Sequence, residues 1–229
     1  GTGVMEDSSF EDHRKAAAYF DRKAELFDSL YSPDKTSAFM HFMNRHFRSD
    51  IYERFVLTMN HVKQANAQSV LDVGIGSGRY IGGYVDAGVK RIVGVDISST
   101  MLELAKTHAQ AIGSSAVSCE LVLADIDTFS SGEKFDVVVA MGFFDYIAEP
   151  VPSLKKLREL CNKSVIASFP SISFYRTPLR KVRYAIKKCP VYFYRVEQIQ
   201  TLAKDSGYSA CHISKIKGAG MDYVVTLTR

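Results

Sequence analysis

Three glycines and three carboxylates form the strongest chemical pattern in this chain. Gly74, Gly76 and Gly78 punctuate the run Leu71-Asp72-Val73-Gly74-Ile75-Gly76-Ser77-Gly78-Arg79-Tyr80. A β-branched stretch leads into this run and a helical stretch follows it. Glycines at such a turn permit a tight backbone and let a ligand approach closely. Asp96 follows about 20 residues later, in Gly94-Val95-Asp96-Ile97-Ser98, and a carboxylate at that spacing suits a ribose diol, because it can accept both hydroxyl hydrogens. Asp125 closes a further apolar run in Leu123-Ala124-Asp125-Ile126-Asp127. Each feature has a plain structural counterpart: an ordinary strand-to-helix turn, a helix cap, and a turn cap by Asp125 or Asp127. Ser98 to Thr100 already offer helix caps, which leaves Asp96 for a ligand.

The elements that must position these groups follow from periodicity. Val70–Val73, Arg91–Val95, Glu120–Ala124, Phe135–Met141 and Ser164–Phe169 read as strands, nearly continuous in apolar character. Helical stretches alternate with them. Thr100 with Glu103 fits a capping box at the start of one, whose face is Leu102, Ala105, Ala109 and Ile112. Apolar strands alternating with helices predict an α/β fold, a doubly wound parallel sheet covered on both faces. Cys211–Ile216 and Tyr223–Thr228 predict a terminal hairpin, so the sheet should end mixed, with an antiparallel edge. Before the sheet, residues 9–68 read as helical, with aromatic groups at Tyr19, Phe20, Phe27 and Tyr31. A second face follows through Phe39, Met43, Phe47, Ile51, Phe55 and Met59.

The G-x-G-x-G loop preceded by Asp72 resembles motif I of the class I S-adenosylmethionine-dependent methyltransferases, and the resemblance runs from about Ser69 to Phe169. It implies a Rossmann-like, seven-stranded sheet. It also implies a single methyltransferase domain over 1–229, with a helical N-terminal lid at 1–68, a core at 69–229 and a basic insertion at 170–195. S-adenosylmethionine would bind at Asp72, Gly74, Gly76 and Gly78, at Asp96 with Ile97 and Met101, at Asp125 and Ile126, and at Met141, leaving S-adenosylhomocysteine as product. Asp125 would accept from the adenine amino group. The N-terminal helix resembles the lid of small-molecule methyltransferases of the quinone-biosynthesis type, which makes Tyr19 a cofactor contact. The stretch Met141-Gly142-Phe143-Phe144 lacks the Asn/Asp-Pro-Pro-Tyr/Phe signature of enzymes that methylate nucleobase amino groups. The dinucleotide fingerprint would need its third glycine at position 79, which is Arg79, and this argues against a nicotinamide oxidoreductase.

Composition narrows the class further. The 229 residues, 46% hydrophobic, suffice for one sizeable core. No apolar run is long enough to cross a membrane. Cys119, Cys161, Cys189 and Cys211 form no CxxC pair, which predicts reduced thiols in a cytoplasmic protein and no zinc site or other metal. The net charge of +4 is mild, but its distribution is not. No Asp or Glu occurs from Leu160 to Val196, whereas Lys163, Arg176, Arg180, Lys181, Arg183, Lys187, Lys188 and Arg195 do. Such a field favours an anionic partner. Tyr146, Arg176, Arg180 and Arg183 are the acceptor-binding candidates, and the expected acceptor is a small anionic metabolite methylated at oxygen. An RNA partner is the alternative, and its binding would weaken steeply with salt. No general base is assigned, although His41 and His46 are candidates.

Overall fold

The computed structural model describes residues 52–171, 192–216 and 222–229. They build a seven-stranded sheet from β1 (Ser69–Val73), β2 (Arg91–Asp96), β3 (Ser118–Leu123), β4 (Phe135–Ala140), β5 (Cys161–Pro170), β6 (Ala210–Lys215) and β7 (Asp222–Thr228). The spatial order is β3-β2-β1-β4-β5-β7-β6. The first five strands pair in parallel, and β7 runs antiparallel to both β5 and β6. The expected doubly wound sheet with an antiparallel terminal hairpin is therefore present.

The helices are α1 (52–64), α2 (Ile81–Asp86), α3 (Ser99–Ile112), α4 (Pro150–Leu160) and α5 (Val196–Asp205). A 3-10 turn, Phe144–Tyr146, follows β4. Two apolar layers cover the sheet. Leu154, Leu157, Ile199 and Ala203 of α4 and α5 pack on one side with Phe135, Val138 and Val165. Val62, Ile81, Tyr84, Val137 and Ile166 form the other. β1 and β4 are buried almost throughout because both of their faces meet a layer, which explains their continuous apolar sequence. Phe55 and Met59 lie so close to Gly83 of α2 that a Cβ there would sit 2.7 Å from each, so α1 seats directly on the helix that follows the glycine loop.

Several boundaries differ from expectation. β3 begins at Ser118, which lies in register with Arg91 of β2, and the Arg91 side chain donates to Ser118 Oγ at 2.9 Å and pairs with Glu120 and Glu133 at 2.8 and 2.7 Å. β5 extends to Pro170, which lies in register with Asp222 at the start of β7. The capping box at Thr100 does not form. Ser98 caps α3 instead, accepting from Met101 N at 3.2 Å, which places Thr100 inside the helix. No helix among the described residues is long and apolar enough to cross a membrane.

Candidate functional site

The strand order reverses between β1 and β4, because β1 connects outward to β2 while β4 starts the other half of the sheet. Their carboxyl ends diverge there, and a crevice opens where open α/β sheets bind ligands. A cavity of about 210 Å³ occupies this crevice. Its wall combines Asp72, Val73, Gly74, Ile75 and Gly76 from β1 and the loop with Asp96, Ile97 and Met101 from β2 and α3. Asp125 and Ile126 follow β3, while Met141, Phe143, Asp145 and Tyr146 follow β4.

The loop is shaped by its own backbone. Gly74 N and Ile75 N both donate to Val95 O, at 2.8 and 3.1 Å, and Gly78 N donates to Ile75 O at 3.2 Å. A carbonyl of the loop, Ser77 O, meets His108 Nδ1 on α3. Gly78 has φ +79°, and a Cβ there would lie 2.9 Å from Ala105 Cα, so this glycine serves helix packing as well as the turn. At Gly74 a Cβ would enter open space, which leaves that stretch of backbone accessible to a ligand.

Asp96 does more than the sequence suggested. One oxygen accepts from Gly76 N at 2.8 Å, and the other accepts from Ser98 N at 2.9 Å. The carboxylate therefore ties the loop to the start of α3 and is not reserved for a ligand. Each carboxylate oxygen has two acceptor directions, so this work is compatible with accepting ribose hydroxyls as well. Asp125 likewise shares two duties. Its Oδ1 accepts from Asp127 N at 2.9 Å and stabilises the turn, while the residue lines the cavity; Asp127 is outside the lining.

Asp72 is 4% exposed and receives a hydrogen bond from Tyr84 Oη at 2.6 Å. Burial pushes its pKa up to about 7; the Tyr84 hydrogen bond pulls it down, and the nearby charge of Asp96 pushes it up again. The sequence reading missed Tyr84, because an aromatic residue on the buried side of a helix looks like core. It also missed Arg54, Arg79, Tyr80 and Asp145 in the wall. Arg54 pairs with Asp222 at 3.1 Å, across a separation no local pattern reveals.

Gly74, Gly76, Asp72, Asp96, Ile97, Met101, Asp125, Ile126, Met141 and Tyr146 thus share one cavity, with Gly78 packed behind it. Tyr19, Arg176, Arg180, Arg183, His41 and His46 lie outside the described residues. Tyr194, although it lies within the basic run, is core. It is 2% exposed, and its hydroxyl donates to Phe144 O and Ile147 O, each at 3.2 Å, because a phenol buried there must find acceptors.

The wall suits a cation-bearing nucleoside. Four aspartates, Asp72, Asp96, Asp125 and Asp145, share the lining with Arg54 and Arg79, and Ile97, Met101, Ile126 and Met141 supply apolar surface for a flat base. Residues 70–164 match the family described as methyltransferase domain. The ubiquinone biosynthesis O-methyltransferase of Actinobacillus pleuropneumoniae serotype 5b is 26% identical over 130 residues, which cover 54% of this chain and 55% of that protein. The tRNA U34 carboxymethyltransferase of Shewanella sp. W3-18-1 is 31% identical over 99 residues, 43% of this chain and 30% of that protein. The chain therefore spans about half, or less, of the length of these curated relatives. The crystal structure of magnesium protoporphyrin IX methyltransferase from Synechocystis PCC 6803 with bound S-adenosylhomocysteine aligns at TM-score 0.74 and 17% identity, covering 95% of this chain and 99% of that one. With a glycine loop, an acid at the end of β2 and a seven-stranded sheet of this order, the chain has the fold of the class I S-adenosylmethionine-dependent methyltransferases, and its residues 70–164 are similar to the methyltransferase domain family.

Proposed function

We propose that this chain transfers a methyl group from S-adenosylmethionine to an oxygen of a small anionic acceptor. The observation that carries the cofactor half of this reading is the Gly74–Gly78 loop joined to Asp96 at the rim of a carboxylate-rich cavity. S-adenosylmethionine, when bound, supplies an electrophilic methyl group on a positively charged sulfur. The residues of this chain do the rest by position. Asp96 would receive the ribose hydroxyls, Asp125 and the backbone at Ile126 the base, and the acidic wall the cationic end. Holding an acceptor in line with the methyl group contributes on the order of 7–11 kcal/mol to such a reaction. A carboxylate acceptor needs no base, whereas a hydroxyl acceptor needs one within about 3 Å of its oxygen.

The anionic acceptor is supported by sequence and by placement. The run from Leu160 to Val196 carries eight basic residues and no acid. Its described flanks return to the cavity rim: Ser171 bridges to Tyr194, and Tyr192 N donates to Asp145 O at 2.8 Å. The similarity to a protein named ubiquinone biosynthesis O-methyltransferase supports a small-molecule acceptor methylated at oxygen. The tRNA relative, together with the basic run, favours an RNA acceptor as the second reading.

Calorimetry tests the cofactor: S-adenosylhomocysteine should bind and NADH should not. Methyl transfer to a panel of carboxylated, phosphorylated and phenolic metabolites, with a tRNA pool beside it, tests the acceptor. Labelling of RNA alone would replace the metabolite reading.

A further inference from the structure

Tyr84 carries more chemistry than its place in the core requires. It lies on α2, six residues beyond Gly78, and is fully buried among Ile81, Val137 and Val139. An aliphatic side chain would fill such a site without the cost of burying a hydroxyl. Here the hydroxyl is aimed at the one carboxylate that precedes the glycine loop, at 2.6 Å from Asp72 Oδ2. The other oxygen, Oδ1, accepts no hydrogen bond among the described residues, and Asp72 lines the cavity.

We propose that Tyr84 is a positioning residue that presents Asp72 as an oriented carboxylate to the cationic end of the bound cofactor. This inference rests on the cofactor reading above. A buried carboxylate with no donor would be driven to its neutral form. At Asp72 burial supplies most of that pressure, and the charge of Asp96 adds to it. Asp96 faces it from β2, and Asp125 and Asp145 share the cavity. From β4 it meets only apolar Val139 in register. Arg54 and Arg79 line the same cavity, and Tyr80 stands one turn before Tyr84. The Tyr84 hydrogen bond favours the ionised form, in line with a buried carboxyl whose pKa rises only to about 7. A cation arriving at Asp72 would complete the neutralisation and release the proton the carboxyl holds near neutral pH.

The test uses S-adenosylhomocysteine, whose ammonium keeps the cation while its sulfur is neutral. Wild-type affinity should rise between pH 6 and 8 as Asp72 ionises. Tyr84→Phe should weaken binding at pH 7 by roughly tenfold and move the midpoint of that rise up by about one pH unit. Asp72→Asn should remove the pH dependence, and adding Tyr84→Phe to it should change nothing further. The melting temperature separates positioning from packing: Tyr84→Phe should cost less at pH 5.5, where Asp72 is protonated, than at pH 8. Equal cost at both pH values, failure to fold at pH 5.5, or an unshifted affinity midpoint overturns the inference. Wild-type protein that does not bind S-adenosylhomocysteine at any pH overturns the cofactor reading, and this proposal with it.

Discussion

The two halves of the crevice are built by opposite means. On the β1–β2 side, the ligand wall is backbone. Val95 O, Gly76 N and Ser98 N hold the loop and Asp96 in place, and every partner lies within about 30 residues along the chain. On the β4–β5 side, the turn that supplies the wall is held from behind by buried side chains gathered from far apart. Phe144 stacks on Phe169 at 4.6 Å, Phe169 meets Tyr194 edge-on at 5.0 Å, and Tyr194 holds the turn after β4 from 50 residues away. A half made of backbone leaves little room for variation and suits a ligand that never changes. A half made of side chains can be re-cut for a new acceptor without disturbing the sheet. Cofactor binding and acceptor binding should therefore respond to different substitutions.

The harshest test of the backbone half is Gly78→Val. Its Cβ would collide with Ala105 Cα in a conformation that β-branched residues avoid. Binding of S-adenosylhomocysteine should be lost, and the melting temperature should fall by several degrees, as about 2 kcal/mol of strain and overpacking produces in a domain of this size. Retained binding would show that the loop tolerates bulk and that its glycines are incidental.

Asp96→Ala comes next. Loss of a charged acceptor costs about 1.5–3 kcal/mol per hydrogen bond, so cofactor affinity should drop by more than tenfold. The bonds to Gly76 N and Ser98 N add a structural consequence, and the apo protein should melt lower as well. Unchanged affinity by calorimetry would confine Asp96 to holding the loop.

Tyr194→Phe probes the side-chain half. Removing a hydroxyl that serves two carbonyls should cost about 1 kcal/mol of stability. Steady-state kinetics should show a raised acceptor KM, with calorimetric affinity for S-adenosylhomocysteine unchanged. A parallel loss of both would mean that the two halves are coupled. The mildest effects are expected from Arg176→Gln, Arg180→Gln and Arg183→Gln. Each should raise the acceptor KM several-fold, as loss of one charged hydrogen bond to the acceptor implies, and leave cofactor affinity alone. Unchanged kinetics in all three would remove the anionic-acceptor reading.

The contrast also explains what could be read early. The glycine loop, Asp72, Asp96 and Asp125 were visible because strand, turn and acid follow one another in the chain, and the sheet brings strand ends together by a general rule. Asp96 was misjudged in one respect, as free of structural duty, because its bond to Gly76 N crosses from β2 to the loop after β1. Nothing in the residues beside Tyr194 marks it as core. Its environment depends on Phe144 and Ile147 of the turn after β4 and on Phe169 of β5, which the sheet delivers from two other segments.

Residue order by itself determined the alternation of strand and helix, the antiparallel end of the sheet and the acid-rich character of the loop region. These depend on short-range periodicity and on glycine's backbone freedom, which act within a few residues. Tertiary structure alone decided that Ser98 rather than Thr100 caps α3, that Arg54 reaches Asp222, and that the Tyr84 hydroxyl meets Asp72 under the loop. The physical reason is that buried polar groups must find partners, and which partner is within 3 Å is set by how distant elements pack.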